Sequence, residues 1–538
     1  MKKAEEKQVN NEDLKTMNQD ELVSFLVKLT QQNQELNTQN EILSSQLEEA
    51  LNMIKLMKKT LFGSKSEKSK TLENQLKLNL FDEVENTADE EEVQEEQVIY
   101  KEVKVGRKSI SEANPNLEVK VVRNDMDELL KEGYKVIGEK AKEELIYVPE
   151  QIFILKTLSN VYAKELADGS DDILTLHKGN DFLDKSIASI PLVSKVLTDK
   201  YVWAKPLYRI QDTFKNLGAN ISRQTMSNWA IATSNKYLEP MYNLMKKDLL
   251  AKDIINADET SVQVLKHQDG STNKKSYMWV YRSNIYEPDI IIYDYQPGRK
   301  ADYAIDFLQD FKGYLQSDGY RAYKNIENSI QVGCLAHGRR KIVEALEVMG
   351  KSRTQARKTG ESLLKLIRKI FFVDKQLQHL DLPLKQERRL EKLKPLFEEL
   401  HQQLTKASDI LLPKSKLGEA ITYNLNQFES FENIFKDPRL ELTNNSAERV
   451  IKPFVIGRKN WLFSNTTKGA KSSAIIYSVL VSAKENGLKV EDYLNYVFKA
   501  MSEVAVDNWS NEFISTLLPH SDSLPDYLYN NQKQRQRR

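Results

Sequence analysis

The sequence predicts a multidomain α+β protein: an N-terminal coiled coil, a small β-rich module, a helix-turn-helix-like region, and a domain built on a mixed sheet with helices packed against it. Three observations predict this. A seven-residue apolar beat runs from Leu22 to Leu61, period-two segments dominate after Asp253, and residues 340–440 are rich in Lys, Leu and Glu at helical spacing. At 538 residues the chain is too long for one ordinary core, so three or four units are expected. Hydrophobic residues at 40% and charged residues at 29% suit a soluble protein. No apolar run approaches the ~18 residues that span a bilayer, and MKKAEEKQVNNEDLK lacks the apolar stretch of a signal peptide. A cytoplasmic location without a membrane partner is therefore expected. One cysteine, Cys334, excludes an internal disulfide and any zinc site built on several thiolates.

In residues 18–62, Leu22, Leu29, Leu36, Leu43, Ala50 and Met57 form one heptad series, and Leu26, Asn33, Asn40, Leu47, Ile54 and Leu61 the other. Asparagine at core positions fixes register in two-stranded coils, so this leucine zipper predicts a parallel homodimer. Residues 63–99 turn acidic, with nine acids and no bases from Asp82 to Glu96, and read as a solvated linker. Residues 1–100 carry a net charge of −9, leaving +10 for the remainder, which favours a polyanion partner. In residues 100–180 the pieces YKEVKV, LEVKVV, EELIYVPEQIFILKTLSNVYA and ILTLHKG predict short strands separated by turns.

Residues 181–250 are expected to be helical. Leu207, Ile210, Phe214 and Leu217 form a stripe, Gly218–Asn220 a turn, and Ser222 can cap a second helix with Met226, Trp229 and Ala230 inward. Arg223, Gln224, Ser227 and Asn228 would then stand at the start of that helix, where a helix-turn-helix presents side chains to base edges. Many helical hairpins share this pattern and bind nothing.

Residues 251–480 begin with strands DIINADETSVQVL, KKSYMWVYRSN and DIIIYDYQPGR, a helix ADYAIDFLQDF and a fourth strand GYLQSDGY. Asp258 lies in the first strand and Asp318, 60 residues later, ends the fourth. If those strands pair, the carboxylates face one another. Each has a plainer reading, as a turn residue for Asp318 and a hydrated strand end for Asp258. Downstream, TNNSAERVIKPFVIGRKNWLF sets Glu448 among Arg449, Lys452, Arg458 and Lys459. With Asn445 as N-cap, Glu448 falls at the capping-box position. Alternatively it is a third metal ligand whose cationic neighbours hold an anionic polymer. Three carboxylates with open coordination positions suit two Mg²⁺ or Mn²⁺ ions, which activate a nucleophile and stabilise a leaving oxygen at phosphorus.

ADETSVQVL, YLQSDGY, GCLAHGRRK and NNSAERVIKPFVIGRKNWLFSNTTKGAKSSAIIYSVLVSAKENG closely resemble the DDE transposases of the insertion sequence 66 family. The resemblance covers most of the chain. It implies an RNase H-like α/β catalytic domain with a helical insertion at about 340–440, followed by a C-terminal helical element and basic tail in 481–538. It also implies that Asp258, Asp318 and Glu448 form the catalytic, metal-binding triad. His337, Arg339 and Arg340 of the GCLAHGRRK block join the α-helical cations as expected DNA contacts. The implied partners are double-stranded DNA, both element terminal repeats and target, and small accessory proteins of the same element. Family members commonly carry a cysteine-rich zinc module before the catalytic domain; residues 100–180 contain no cysteine, so no zinc is expected. The alternative function is a catalytically idle DNA-binding relative. A glycosidase with paired carboxylates fits less well, because sugar-stacking aromatics are expected there rather than a basic helix.

Overall fold

The computed structural model describes residues 150–156, 161–165, 171–175, 182–183, 186–267, 270–350 and 354–530. The expected coiled coil, acidic linker, most of the β-rich module and the basic tail lie outside them. The chain divides into two compact units, one holding Val332–Thr443 and the other the described residues up to Gln331 together with Asn444 onward.

The larger unit opens with an antiparallel hairpin, β1 (Val161–Glu165) and β2 (Asp171–Thr175). Helix α1 (Ile190–Leu197) follows, capped by Ser189 Oγ, which accepts from the Leu192 N–H. Next come α2 (Leu207–Asn216) and α3 (Arg223–Thr233), joined by a turn in which Gly218 takes φ +87°. That left-handed backbone is costly for a residue with a Cβ. Ser222 caps α3 by accepting from the Thr225 N–H at 3.0 Å, and Met226, Trp229 and Ala230 point inward, as their spacing predicts. Helix α4 (Glu239–Leu250) buries Met241, Met245 and Leu249 on one stripe.

The chain then changes to period two. β3 (Ile254–Lys266), β4 (Thr272–Ser283) and β5 (Ile291–Gln296) form an antiparallel meander. Helix α5 (Ala301–Leu308) carries the chain back so that β6 (Gly313–Ser317) pairs parallel to β3, the crossover a parallel neighbour requires. With β7 (Ser329–Gly333) the strand order is β5-β4-β3-β6-β7, and the short β8 (Ser464–Thr466) adds to β3. The result is a mixed α/β architecture on a mixed sheet.

The second unit is helical: α6 (Leu335–Met349), α7 (Gln355–Leu377), α8 (Leu382–Arg388), α9 (Lys394–Ile410) and α10 (Lys416–Glu432). Thr354, Asp381 and Ser415 cap three of them through side-chain oxygens. Inside it Arg389, 1% exposed, donates to Asp374 at 3.0 Å and to the Leu440 carbonyl at 2.9 Å.

The chain returns to the larger unit with α11 (Asn445–Trp461), α12 (Thr467–Glu485), α13 (Val490–Ser502) and α14 (Asn511–Leu517). β5 is an edge strand, and unpaired edge N–H groups invite further pairing. Here Ser482 Oγ and Ser478 Oγ of α12 accept the Ile291 and Tyr293 N–H groups at 2.9 and 2.8 Å, closing that edge. One hydrophobic core joins α1–α4, the sheet and α11–α14, running from Val193 and Trp229 through Tyr281 and Tyr293 to Leu480 and Phe498. No helix among the described residues is long and apolar enough to cross a membrane.

Candidate active site

The β3–β6 ladder pairs Ile254 with Tyr314, Ile255 with Leu315 and Asn256 with Gln316, an offset of 60 throughout. Two residues further along the same register stand Asp258, on β3, and Asp318, just past β6. Beneath them the fully buried Asn256 donates through Nδ2 to Gln316 Oε1 at 3.2 Å and to Asn444 Oδ1 at 3.3 Å. Asn444 Nδ2 in turn donates to the Ala257 carbonyl at 2.8 Å. This amide cluster fastens the start of α11 to β3, one residue before Asp258. Arg282 of β4 adds a second tie, donating to the Ser446 carbonyl at 3.2 Å.

The same contacts correct the reading of Glu448 as a capping-box residue. The N-cap is Asn444, not Asn445, and its side chain makes no capping hydrogen bond. The Asn444 amide is engaged with β3, where its partners are buried. Glu448 therefore lies one position beyond the capping-box site, half-buried, with its backbone N–H bonded to the Asn444 carbonyl at 3.2 Å. Asn444→Ala should cost about 2 kcal/mol, because it strands the buried Asn256 amide and Ala257 carbonyl; urea denaturation measures this, and a loss below about 0.5 kcal/mol would show that the groups find other partners.

The site concentrates negative charge. Burial first, then the charges of Glu259, Glu448 and Asp318, holds the Asp258 carboxyl well above the usual carboxylate range; the Glu259 N–H that it accepts at 2.8 Å acts the other way. Asp318 Oδ1 accepts from the Tyr320 N–H at 2.9 Å, so the turn role read in SDGY is also present. Glu259, whose side chain is 1% exposed, has its carboxyl raised by burial and by Asp318 and drawn back by Tyr323 and Arg299. It accepts from Tyr323 OH at 2.8 Å and from Arg299 Nε at 2.9 Å. Among the described residues no group of three or more His, Cys, Asp or Glu side chains stands close enough to hold a metal ion. Carboxylates with no cation between them repel. As a donor set, Asp258, Asp318 and Glu448 offer the hard oxygens that Mg²⁺ and Mn²⁺ take.

The expected DNA contacts are dispersed. Arg223, Gln224 and Asn228 are exposed and Ser227 half-buried on α3, with Gln224 Nε2 donating to Asn228 Oδ1 at 2.9 Å. Arg449 and Lys459 are exposed on α11 and Lys452 is half-buried. Arg458 is turned onto β3, where Nη1 donates to Thr260 Oγ1 at 3.0 Å and to the Ser261 carbonyl. His337, Arg339 and Arg340 are half-buried on α6, in the helical unit. Sequence reasoning missed Asn256, Gln316, Asn444, Glu259, Arg299 and Tyr323. Asn256 and Gln316 carried a signal, being polar residues in apolar strands with the same 60-residue offset as the two aspartates; Arg299, in a loop, carried none.

The family model described as Transposase IS66 family matches residues 185–472, and another, described as Transposase C of IS166 homeodomain, matches residues 49–122. Three uncharacterised proteins of Sinorhizobium fredii (strain NBRC 101917 / NGR234) are similar along most of their length. The protein y4qI is 28% identical over 71% of each chain. The protein y4hP is 25% identical over 68% of each. The protein y4jD is 24% identical over 71% of this chain and 75% of its own. The first family model spans more than half of the 538 residues and takes in β3, β6 and α11 whole, so the chain belongs to the IS66 family of transposases.

Proposed function

We propose that the chain is a DDE transposase that binds the ends of an insertion sequence, hydrolyses the phosphodiester there and joins the freed 3′-hydroxyl to target DNA. The observation that carries this is the in-register β3–β6 pairing, which sets Asp258 and Asp318 at matching places two residues beyond its last pair, with the start of α11, four residues before Glu448, tied to β3 by the Asn444 cluster. In this reading the sheet is RNase H-like, and the helical unit is an insertion into the catalytic domain. Asp258, Asp318 and Glu448 would hold two Mg²⁺ or Mn²⁺ ions, which when bound would activate the attacking oxygen and offset charge on the leaving one. The chain's own residues orient and neutralise: Asn256, Gln316 and Asn444 hold the carboxylate-bearing segments together, while Arg449, Lys452 and Lys459 attract the phosphate backbone. Exposed Arg223, Gln224 and Asn228, with Ser227 beside them, read base edges from α3, and His337, Arg339 and Arg340 supply further DNA contacts.

The test is incubation of purified protein with labelled duplexes bearing the element ends and Mg²⁺, followed by mapping of nicks and joined products. Absence of both, with DNA still bound, would favour the idle relative. Dimerisation through residues 18–62 belongs to the same proposal. A peptide of that span should be helical and sediment as a dimer at micromolar concentration, and a monomer there would remove the zipper from the assembly.

A further inference from the structure

The α11 cations were the expected phosphate partners, yet Arg458 is committed to β3. A different cation is set against Glu259 and beside the turn that carries Asp318. Arg299, in the segment between β5 and α5, has a side chain 41% exposed that is anchored to Glu259, itself 1% exposed. Its guanidinium lies over the Tyr320 ring at 3.8 Å, and Tyr320 OH donates to the Arg299 carbonyl at 2.6 Å. Tyr320 also donates its N–H to Asp318, so one residue fixes both the turn carrying the aspartate and the arginine beside it. Glu259 engages the Nε and Nη2 side of the guanidinium, leaving the Nη1 donors uncommitted to that anchor. Tyr320 thus sets Arg299 beside the turn that carries Asp318.

A buried carboxylate that clamps one edge of an arginine, and a ring that holds its plane, are what a preorganised bidentate anion receptor requires. A nucleic-acid phosphate entering among carboxylates needs a fixed cation at that point, because a freely moving one would pair with the carboxylates instead. We infer that Arg299 receives a DNA phosphate at the carboxylate site, with Glu259 and Tyr320 as its positioning residues. This rests on the transposase reading above and extends it to a residue outside the triad.

The test is equilibrium binding of the full chain, in EDTA so that no cleavage intervenes, to a set of element-end duplexes. In each duplex one phosphate near the terminus is replaced by a neutral methylphosphonate. Arg299→Ala should weaken binding to the unmodified duplex about tenfold, the size of one charge-assisted hydrogen bond. That loss should vanish on the duplex neutralised at one position, which should coincide with the cut made by wild-type protein in Mg²⁺. An equal loss across the whole set, or no loss, would overturn the inference. Because Arg299→Ala leaves Glu259 buried without its partner, the double change Glu259→Gln/Arg299→Gln is measured beside it and should show the same position dependence in a folded chain. Arg299→Lys should recover part of the affinity, since it restores charge without the planar fork. Cleavage by Asp258→Asn separates the two claims: normal cutting by that variant removes the site itself, whereas a dead variant alongside a position-independent Arg299 effect removes only the arginine.

Discussion

Asp258→Asn is expected to lower Mg²⁺-dependent strand cleavage by about 10³-fold or more while leaving the protein more stable at neutral pH, not less. On the proposed reading, the loss follows from removing one charged oxygen ligand from a set that would hold divalent cations. The gain follows from the direction in which Asp258 is shifted. Its carboxyl is raised in the folded chain by burial and by Glu259, Glu448 and Asp318, so the native state binds that proton more tightly than the unfolded state does. Below the unfolded value near 3.8 the group is protonated in both states and costs nothing. As pH rises through the folded value the ionised carboxylate is forced on its neighbours, and stability falls. Asparagine removes that cost, so melting curves of the two proteins should converge in acid and separate toward neutrality. Mg²⁺ should raise the melting temperature of the wild type and not of the variant, by mass action on the folded state. Asp318→Asn and Glu448→Gln should lose cleavage equally, with double changes adding little. A cleaving Glu448→Gln protein would return that residue to an ordinary place in the first turn of α11.

Arg389→Ala should destabilise the helical unit by about 3–5 kcal/mol, because it leaves Asp374 buried with an uncompensated charge and strips the Leu440 carbonyl of its donor. The effect can be localised with the chain's own fluorophores. All five tryptophans, Trp203, Trp229, Trp279, Trp461 and Trp509, lie outside residues 332–443. Tryptophan fluorescence therefore reports the larger unit alone, while far-ultraviolet circular dichroism reports both. In urea the dichroism transition of Arg389→Ala should begin well before the fluorescence transition. Asp374→Leu/Arg389→Met, which removes both charges, should recover most of the loss. Coincident early transitions by both probes would mean that the two units unfold as one.

Much of the fold was legible because its signals are local and repeated. Ser222, the Gly218 turn and the Met226/Trp229/Ala230 stripe needed only helical geometry, and β3 to β6 needed only period two and one interposed helix. The placement of Asp258 and Asp318 at matching points of adjoining strands was legible for a related reason: parallel neighbours keep a constant offset, and both residues fall on it. What was not legible depends on choices made after the chain folds. Two adjacent asparagines compete for the N-cap of α11, and Asn444 is held by β3, 187 residues away in sequence, which no local rule anticipates. Glu259, which carries no local signal of burial, becomes a buried anchor because Arg299 and Tyr323 arrive from other segments. Arg458 shows how a charge is visible in sequence while its direction is not: the same guanidinium serves DNA or β3 according to where the helix sets it.

The discontinuity of the larger unit also has a bearing on its synthesis. Asp318 follows Asp258 by 60 residues, whereas Glu448 follows only after all of Val332–Thr443 has been translated. At about 5–20 residues per second this interval lasts on the order of ten seconds. During it the nascent chain holds two aspartates without the glutamate, and the Ile291 and Tyr293 edge without the serines of α12. A ribosome that stalls or a message that breaks within the helical unit thus releases a chain that carries the two aspartates without Glu448. On the transposase reading proposed above, the order of segments ensures that a chain released before α11 lacks the third carboxylate and cannot cut.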